Sequence, residues 1–189
     1  MTIQIQMETF NLSSVLSDQQ RLIRVSSKVL SLASPVLAAT FSPKFAEGCA
    51  LSDKNPISVP TINFPNDDPE AMIWLCEAFH FKHPETMGLE FPLMKEIAIL
   101  CDKYDMSKAL RSWSELWMKF WTGSTKGPDE PLQMLWISYV FDNNPTFYAV
   151  CANMVELYSA EDLARIGDRL KDNILPDRIV GMYLFFLIH

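Results

Sequence analysis

Residues 24–41 read R-V-S-S-K-V-L-S-L-A-S-P-V-L-A-A-T-F, and this stretch predicts a strand followed by two short helices. Ser26 or Ser27 is expected to cap the first helix, because a serine oxygen accepts a hydrogen bond from an otherwise unpaired N–H. Ser34 and Pro35 end that helix, since proline lacks an N–H and restricts the residue before it. The same pair suits the start of the next helix, with serine as cap and proline in first position. The stretch therefore predicts a strand and a helical hairpin joined at a bend.

The hairpin and three later segments of the chain carry a series of short motifs. They read S-K-V-L at 27–30, S-P-V-L at 34–37, T-F at 40–41, F-A-E-G at 45–48, D-D-P-E-A-M at 67–72 and A-I-L-C-D-K-Y-D at 98–105. The set resembles the BTB/POZ domain, most closely that of fungal BTB-domain proteins, over residues 10–121. The resemblance implies an α+β fold, in which a small sheet is flanked by helical hairpins.

The predicted organisation has three parts. A BTB/POZ-like domain occupies residues 10–121, and an all-α C-terminal extension occupies residues 132–189. Between them, residues 122–131 are rich in glycine, proline and polar residues, as is typical of a linker.

Three segments are expected to form the sheet, at residues 10–16, 21–25 and 57–64. Prolines at 60 and 65 confine the last of these to an edge or a short length. The alternation of isoleucine and glutamine at residues 3–6 predicts an additional short edge strand.

The rest of the domain is expected to be mainly helical. Residues 42–56 contain Pro43, Gly48 and Pro56 and predict a loop. Asp68 is expected to cap a helix that has Pro69 in first position, and another helix begins near Pro92. Asp105 is expected to cap the next helix, whose Trp113 and Leu116 should be buried.

Composition disfavours several classes of function. The formal net charge is −7 and the pI is about 4.9, so a nucleic acid or an anionic membrane would be repelled. The four cysteines form no C-x-x-C pair and indicate reduced thiols in an intracellular protein, cytoplasmic or nuclear. Residues 1–10 lack the pattern of a signal peptide.

Catalytic and cofactor motifs are not found in the sequence. It contains no G-x-S-x-G, phosphate-binding lysine loop or G-x-G-x-x-G. His80 and His83 have the spacing of a helical metal pair, but Pro84 breaks that helix, which favours loop histidines. Asp68 is explained by capping, and Lys103 by a solvated face. We therefore predict no catalytic, cofactor-binding or metal-binding residue, and a small metal-dependent or hydrolytic enzyme is the alternative.

The resemblance implies a non-enzymatic protein–protein interaction module that acts as an adaptor or self-associates. In relatives that serve cullin-type ubiquitin ligases, a hydrophobic–x–Glu motif after the hairpin contacts the cullin, and Phe45 and Glu47 occupy that place here. The plainer interpretation, which we favour at this stage, is that Phe45 covers the core and Glu47 is solvated. A transcriptional co-repressor platform is another alternative, but it usually needs a DNA-binding segment.

The first helix also predicts a contact beyond its own core. Val29, Leu30, Leu32 and Ala33 cover more than one face of a short helix, and each apolar face needs a surface to bury against. The second surface would be the same helix of another copy, related by a two-fold axis. The alternative is a monomer in which the helical tail or residues 1–10 cover the helix. We favour the homodimer.

Overall fold

The protein is α+β, with a small sheet and many helices. The computed structural model describes residues 2–7, 21–51, 60–82, 89–120 and 130–157. The chain divides into two compact units, Met1–Leu110 and Arg111–His189. The expected linker at 122–131 falls mostly outside the described residues, and its last two residues already belong to a helix. The predicted domain boundary therefore stays a prediction.

A three-stranded sheet lies in the first unit. The strands are β1 (Thr2–Met7), β2 (Arg21–Ser26) and β3 (Thr61–Asn63), in the order β2-β1-β3. β1 runs antiparallel to β2 and parallel to β3. The segment expected to be an edge strand near the N-terminus is thus the central strand, and it pairs with β2. The strand predicted at residues 10–16 lies outside the described residues.

The central position of β1 follows from its buried isoleucine. Ile5 is fully buried and lies opposite Ile23 on β2 and Ile62 on β3, so apolar side chains meet across all three strands. β3 is short and at the edge, as its prolines predicted. Pro60 lacks an N–H, but its carbonyl accepts a hydrogen bond from the Gln4 N–H at 2.9 Å.

The helical hairpin is confirmed as α1 (Ser27–Ala33) and α2 (Pro35–Thr40). Ser26 caps α1. Ser34 is fully buried, and it caps α2 by accepting from the Leu37 N–H at 2.9 Å. The Ser34 hydroxyl also donates to the Tyr104 carbonyl at 2.5 Å, which ties the bend to a helix far along the chain. The bend is therefore fixed by local capping and by one long-range hydrogen bond.

A third short helix, α3 (Ala46–Leu51), occupies the middle of the loop expected at residues 42–56, while residues 42–45 form turns. The loop prediction was wrong here because Gly48 was taken as a turn residue. It lies inside α3, where the backbone of Ser42 comes so close that a Cβ would lie 1.7 Å from the Ser42 oxygen. Glycine is present for this close approach.

The next two helices, α4 (Pro69–Phe79) and α5 (Phe91–Tyr104), provide most of the core of the first unit. Asp68 caps α4 as predicted, accepting from the Ala71 N–H at 2.8 Å. Their buried apolar side chains include Met72, Trp74, Leu75, Met94, Ile97 and Leu100.

Asp67 connects the start of α4 to the end of α5. Its buried carboxylate accepts from the Tyr104 hydroxyl at 2.5 Å and pairs with the Lys103 ammonium at 2.5 Å. The start of α4 therefore lies against the end of α5. Lys103 was expected only to belong to a solvated face, but it reaches this buried partner while its own side chain stays partly exposed.

Three helices end in the same Schellman motif, in which a residue of positive φ follows the last turn. Phe81, Asp105 and Asp142 occupy this position after α4, α5 and α7. After α4, the Lys82 N–H bonds to the Glu77 carbonyl at 2.9 Å, and equivalent bonds close the other two ends. Asp105 was expected to begin a helix, but it ends α5. The chain then forms a 3-10 helix, Ser107–Leu110.

The described part of the second unit consists of α6 (Arg111–Phe120), α7 (Glu130–Val140) and α8 (Asn144–Leu157). Asn143 caps α8, its side-chain oxygen accepting from the Thr146 N–H at 3.1 Å, and so separates α8 from α7. The rest of the predicted all-α extension, from residue 158 onward, lies outside the described residues.

The buried face of α6 differs from the predicted one. Trp113 and Leu116 are only half-buried, whereas Ser114, Trp117 and Met118 are buried. Ser114 fits this face because its hydroxyl donates to the Arg111 carbonyl at 2.8 Å.

All four cysteines are free thiols. Cys76, Cys101 and Cys151 are buried, and burial raises the pKa of the Cys76 thiol to about 12 and that of Cys151 to about 11. Such thiols stay protonated and unreactive at neutral pH. Cys49, in contrast, is exposed on α3.

Candidate protein-interaction surface

Helix α1 presents apolar side chains on two faces. Leu30 is 1% exposed and belongs to the core, whereas Leu32 is 81% exposed. Two residues apart on an α-helix correspond to a rotation of about 200°, so these leucines point in nearly opposite directions. Val29 and Ala33 are half-buried between them. Of the four residues assigned to a dimer contact, Leu32 is therefore the one that is open to a partner over most of its surface.

The hairpin exposes more than this one apolar side chain. Among the described residues, the large apolar side chains that remain exposed are Leu22, Leu32, Val36, Phe45, Phe81, Tyr139 and Tyr148. Single exposed residues of this kind are ordinary. Three of them, Leu32, Val36 and Phe45, lie on the consecutive elements α1, α2 and the turn into α3.

The turn before α3 holds Phe45 with about half of its surface exposed, 51%. The Phe45 N–H donates to the Ser42 carbonyl at 3.1 Å, and the Phe45 carbonyl accepts from the Cys49 N–H at 2.9 Å. Gly48 allows this turn to close on the backbone of residues 41–42. The plainer interpretation expected Phe45 to cover the core, whereas about half of its surface is open to solvent.

Glu47 follows in the first turn of α3 and is half-buried. A carboxylate at this position is favoured by the partial positive charge at a helix N-terminus. The exposed aromatic ring of Phe45 and this carboxylate therefore lie two residues apart on a backbone that is held by hydrogen bonds.

The residues considered for chemistry have structural roles. His80 uses both ring nitrogens within the fold, Nδ1 with the Cys76 carbonyl at 2.6 Å and Nε2 with the Ser26 N–H at 2.9 Å. His83 lies outside the described residues. Within the described ranges, no group of three histidine, cysteine or acidic side chains is placed to hold a metal ion.

The cluster of Asp67, Lys103 and Tyr104 also acts in the fold. Burial and the contact with Asp67 raise the pKa of the Tyr104 phenol well above its ordinary value, so the hydroxyl remains a neutral donor. Sequence patterns did not reveal this cluster, because Asp67 and Lys103 are 36 positions apart.

The exposure of two apolar residues was also not indicated by the sequence. Val36 belongs to the S-P-V-L motif, but that motif does not tell which helix face is open. Phe81 is 97% exposed and has a φ of 57°, which a bulky side chain rarely adopts. No glycine or asparagine marks its position, so no local signal indicated this turn.

No protein-family model and no curated protein matches this chain. In the part of the chain that the structure describes, none of the helices has the length and hydrophobicity needed to cross a membrane.

Proposed function

We propose that this chain is a non-enzymatic protein–protein interaction module of the BTB/POZ type that forms a homodimer through α1. The observation that carries the proposal is Leu32, which is 81% exposed on a helix whose opposite face is in the core. Val36 extends the same apolar character to the start of α2. A self-complementary contact across a two-fold axis would cover both copies of Leu32 at once.

The pairing of β1 supports a dimer without strand exchange. β1 lies between β2 and β3 of its own chain, with Ile5 buried at the centre. Exchange of this strand would require opening the sheet, whereas a contact through α1 leaves it intact. The same pairing argues against residues 1–10 as the cover of α1, since most of that segment is in the sheet.

Leu32→Glu is expected to weaken the dimer by about 100-fold or more. Each dimer would lose the burial of two leucine side chains, worth about 1.5 kcal/mol or more apiece, and would place two like charges together. Sedimentation of the full chain over a range of micromolar concentrations measures the change. Phe81→Glu is the matched control, because it places the same charge on another exposed apolar residue of this unit. A wild-type chain that sediments as a monomer throughout, or equal losses in both variants, would contradict the proposal.

A second candidate function is suggested by the exposure of Phe45. We propose that Phe45 and Glu47 form the contact to a protein partner, and the BTB/POZ resemblance makes a cullin-type ubiquitin ligase scaffold the first partner to test. An aromatic side chain that fills a pocket of the partner is the kind of residue that forms a hot spot.

Phe45→Ala is expected to weaken binding of a purified cullin N-terminal segment by about 30-fold, which corresponds to a hot spot of about 2 kcal/mol. Calorimetric titration of the full chain measures this, with Glu47→Ala as a second variant and Phe81→Ala as control. If the wild type does not bind, or if Phe81→Ala lowers affinity as much as Phe45→Ala, the cullin contact is wrong.

A further inference from the structure

His80 joins three elements of the first unit through its two ring nitrogens. It follows the last residue of α4, and Nδ1 lies 2.6 Å from the Cys76 carbonyl oxygen within that helix. Nε2 lies 2.9 Å from the backbone nitrogen of Ser26, the residue where β2 ends and α1 begins. The imidazole therefore connects the end of α4 to the junction of β2 and α1.

These two contacts allow only one protonation state. A carbonyl oxygen can only accept, so Nδ1 must carry a hydrogen. A backbone N–H can only donate, so Nε2 must have its lone pair free. The neutral ring with its proton on Nδ1 satisfies both contacts. Protonation of Nε2 would place two N–H groups against each other and remove the acceptor for Ser26, while the contact to Cys76 would remain.

We propose that His80 is a pH-dependent lock on the β2–α1 junction, closed when the imidazole is neutral and released when it gains a proton. The lock acts on Ser26, which also caps α1 by accepting from the Val29 N–H at 3.4 Å. Release leaves the Ser26 N–H without its acceptor and loosens the position from which α1 begins. This inference does not depend on the proposed function.

Solvent and charge around His80 are compatible with such a lock. The ring is half-buried and lines an open groove of about 310 Å³ with Arg24, Glu77 and Lys82, so protons can reach it. Besides these three, α1 carries Lys28 near the junction. On α5, which packs against α4, Lys95 and Glu96 pair with each other at 3.8 Å. Lys103, at the other end of α5, pairs with Asp67.

The sign of the effect follows from the hydrogen bonds. The Ser26 N–H has its acceptor only while the His80 ring is neutral, so the bond is expected at high pH and is lost when the ring gains a proton. The comparison is made at about pH 8 and about pH 5, on the two sides of the range in which histidine is the usual pH-sensitive side chain.

The test is hydrogen exchange of the Ser26 amide in the full chain, expressed as a protection factor so that the intrinsic pH dependence of exchange is removed. We expect protection to fall about tenfold on acidification in the wild type, the effect of losing one hydrogen bond. His80→Gln, whose side chain does not titrate, should abolish this fall. His83→Gln and His189→Gln are matched controls and should retain it.

Nitrogen NMR of the wild-type imidazole provides a second measurement that requires no variant to fold. At neutral pH it should show the proton on Nδ1, and acidification should shift the Ser26 amide resonance in step with the ring. A proton on Nε2 at neutral pH would overturn the proposal. So would Ser26 protection that is equal at both pH values, or a fall in protection that persists in His80→Gln.

Discussion

Replacing Gly48 with alanine is expected to destabilise the protein by about 3 kcal/mol, at the upper end of what overpacking ordinarily costs. The added Cβ would lie 1.7 Å from the Ser42 oxygen and 2.2 Å from its carbonyl carbon. Both are backbone atoms, so no side-chain rotation can relieve the contact. Either α3 must move away from residues 41–42 or the helix must be lost.

Helix propensity makes the opposite prediction for this substitution. Gly48 is inside α3, and alanine is favoured over glycine within a helix by about 1 kcal/mol. The steric contact thus predicts that Gly48→Ala lowers the free energy of unfolding, whereas helix propensity predicts that it raises it. The measured sign therefore decides which effect is larger. Ala50→Gly, on the exposed side of the same helix, is the matched control and should cost only about 1 kcal/mol.

Urea unfolding of the full chain, followed by circular dichroism, measures both variants. If Gly48→Ala is as stable as the wild type or more stable, then the close approach of α3 to Ser42 is wrong. Because the same approach shapes the turn that exposes Phe45, Gly48→Ala should also weaken any binding that depends on Phe45. Such coupling would link the stability of α3 to the proposed partner contact.

Features with a local physical cause were predicted well from the sequence. Ser34 and Asp68 were each assigned as helix caps with proline following, and both caps form. A cap depends on an oxygen and an N–H that are three residues apart, so a short window contains all the information needed. The helical hairpin was predicted for the same reason.

Features that depend on distant partners were not predicted. β1 pairs in parallel with β3 across more than 50 residues of chain, and nothing in either segment indicates the other. The alternation around Ile5 indicated a strand, but it did not indicate that this strand would have a neighbouring strand on each side. Lys103 was placed on a solvated face because its buried partner Asp67 precedes a different helix.

Helix ends with positive φ were also only partly predictable from residue type. Asp105 and Asp142 tolerate the left-handed conformation better than most residues, whereas Phe81 does not. The Schellman bonds after α4 stabilise the turn that Phe81 occupies, so the hydrogen-bonding pattern outweighs the preference of the side chain.

The face of α6 illustrates how periodicity can be right about a helix and wrong about its orientation. Apolar residues at 113, 116, 117 and 120 indicate a helix, but they span a broad face whose centre is ambiguous. The structure buries Trp117, which is 4% exposed, together with Ser114 and Met118. At 100° per residue Ser114 lies between the other two, so the buried face is rotated away from Trp113 and Leu116. A serine hydroxyl bonded within the helix can be buried, yet in a sequence pattern it counts as polar.

Trp113 and Trp117 therefore form a matched pair for measuring burial. They lie one turn apart on α6, so mutation to alanine changes helix propensity by the same amount at both positions. Trp117→Ala is expected to destabilise the protein by about 3–5 kcal/mol, because it leaves a cavity in a buried site. It also removes the edge-to-face contact with Phe141, whose ring centroid is 6.1 Å away.

Trp113→Ala should destabilise the protein by about 1–2 kcal/mol. A half-buried side chain contributes less buried apolar surface to stability, and solvent can fill the site that its truncation leaves. Urea unfolding of both variants, monitored by circular dichroism, gives the comparison. Equal losses, or a larger loss for Trp113→Ala, would mean that Trp113 is buried as the sequence predicted. A larger loss for Trp117→Ala is the expected result, because Trp117 is buried and Trp113 is only half-buried.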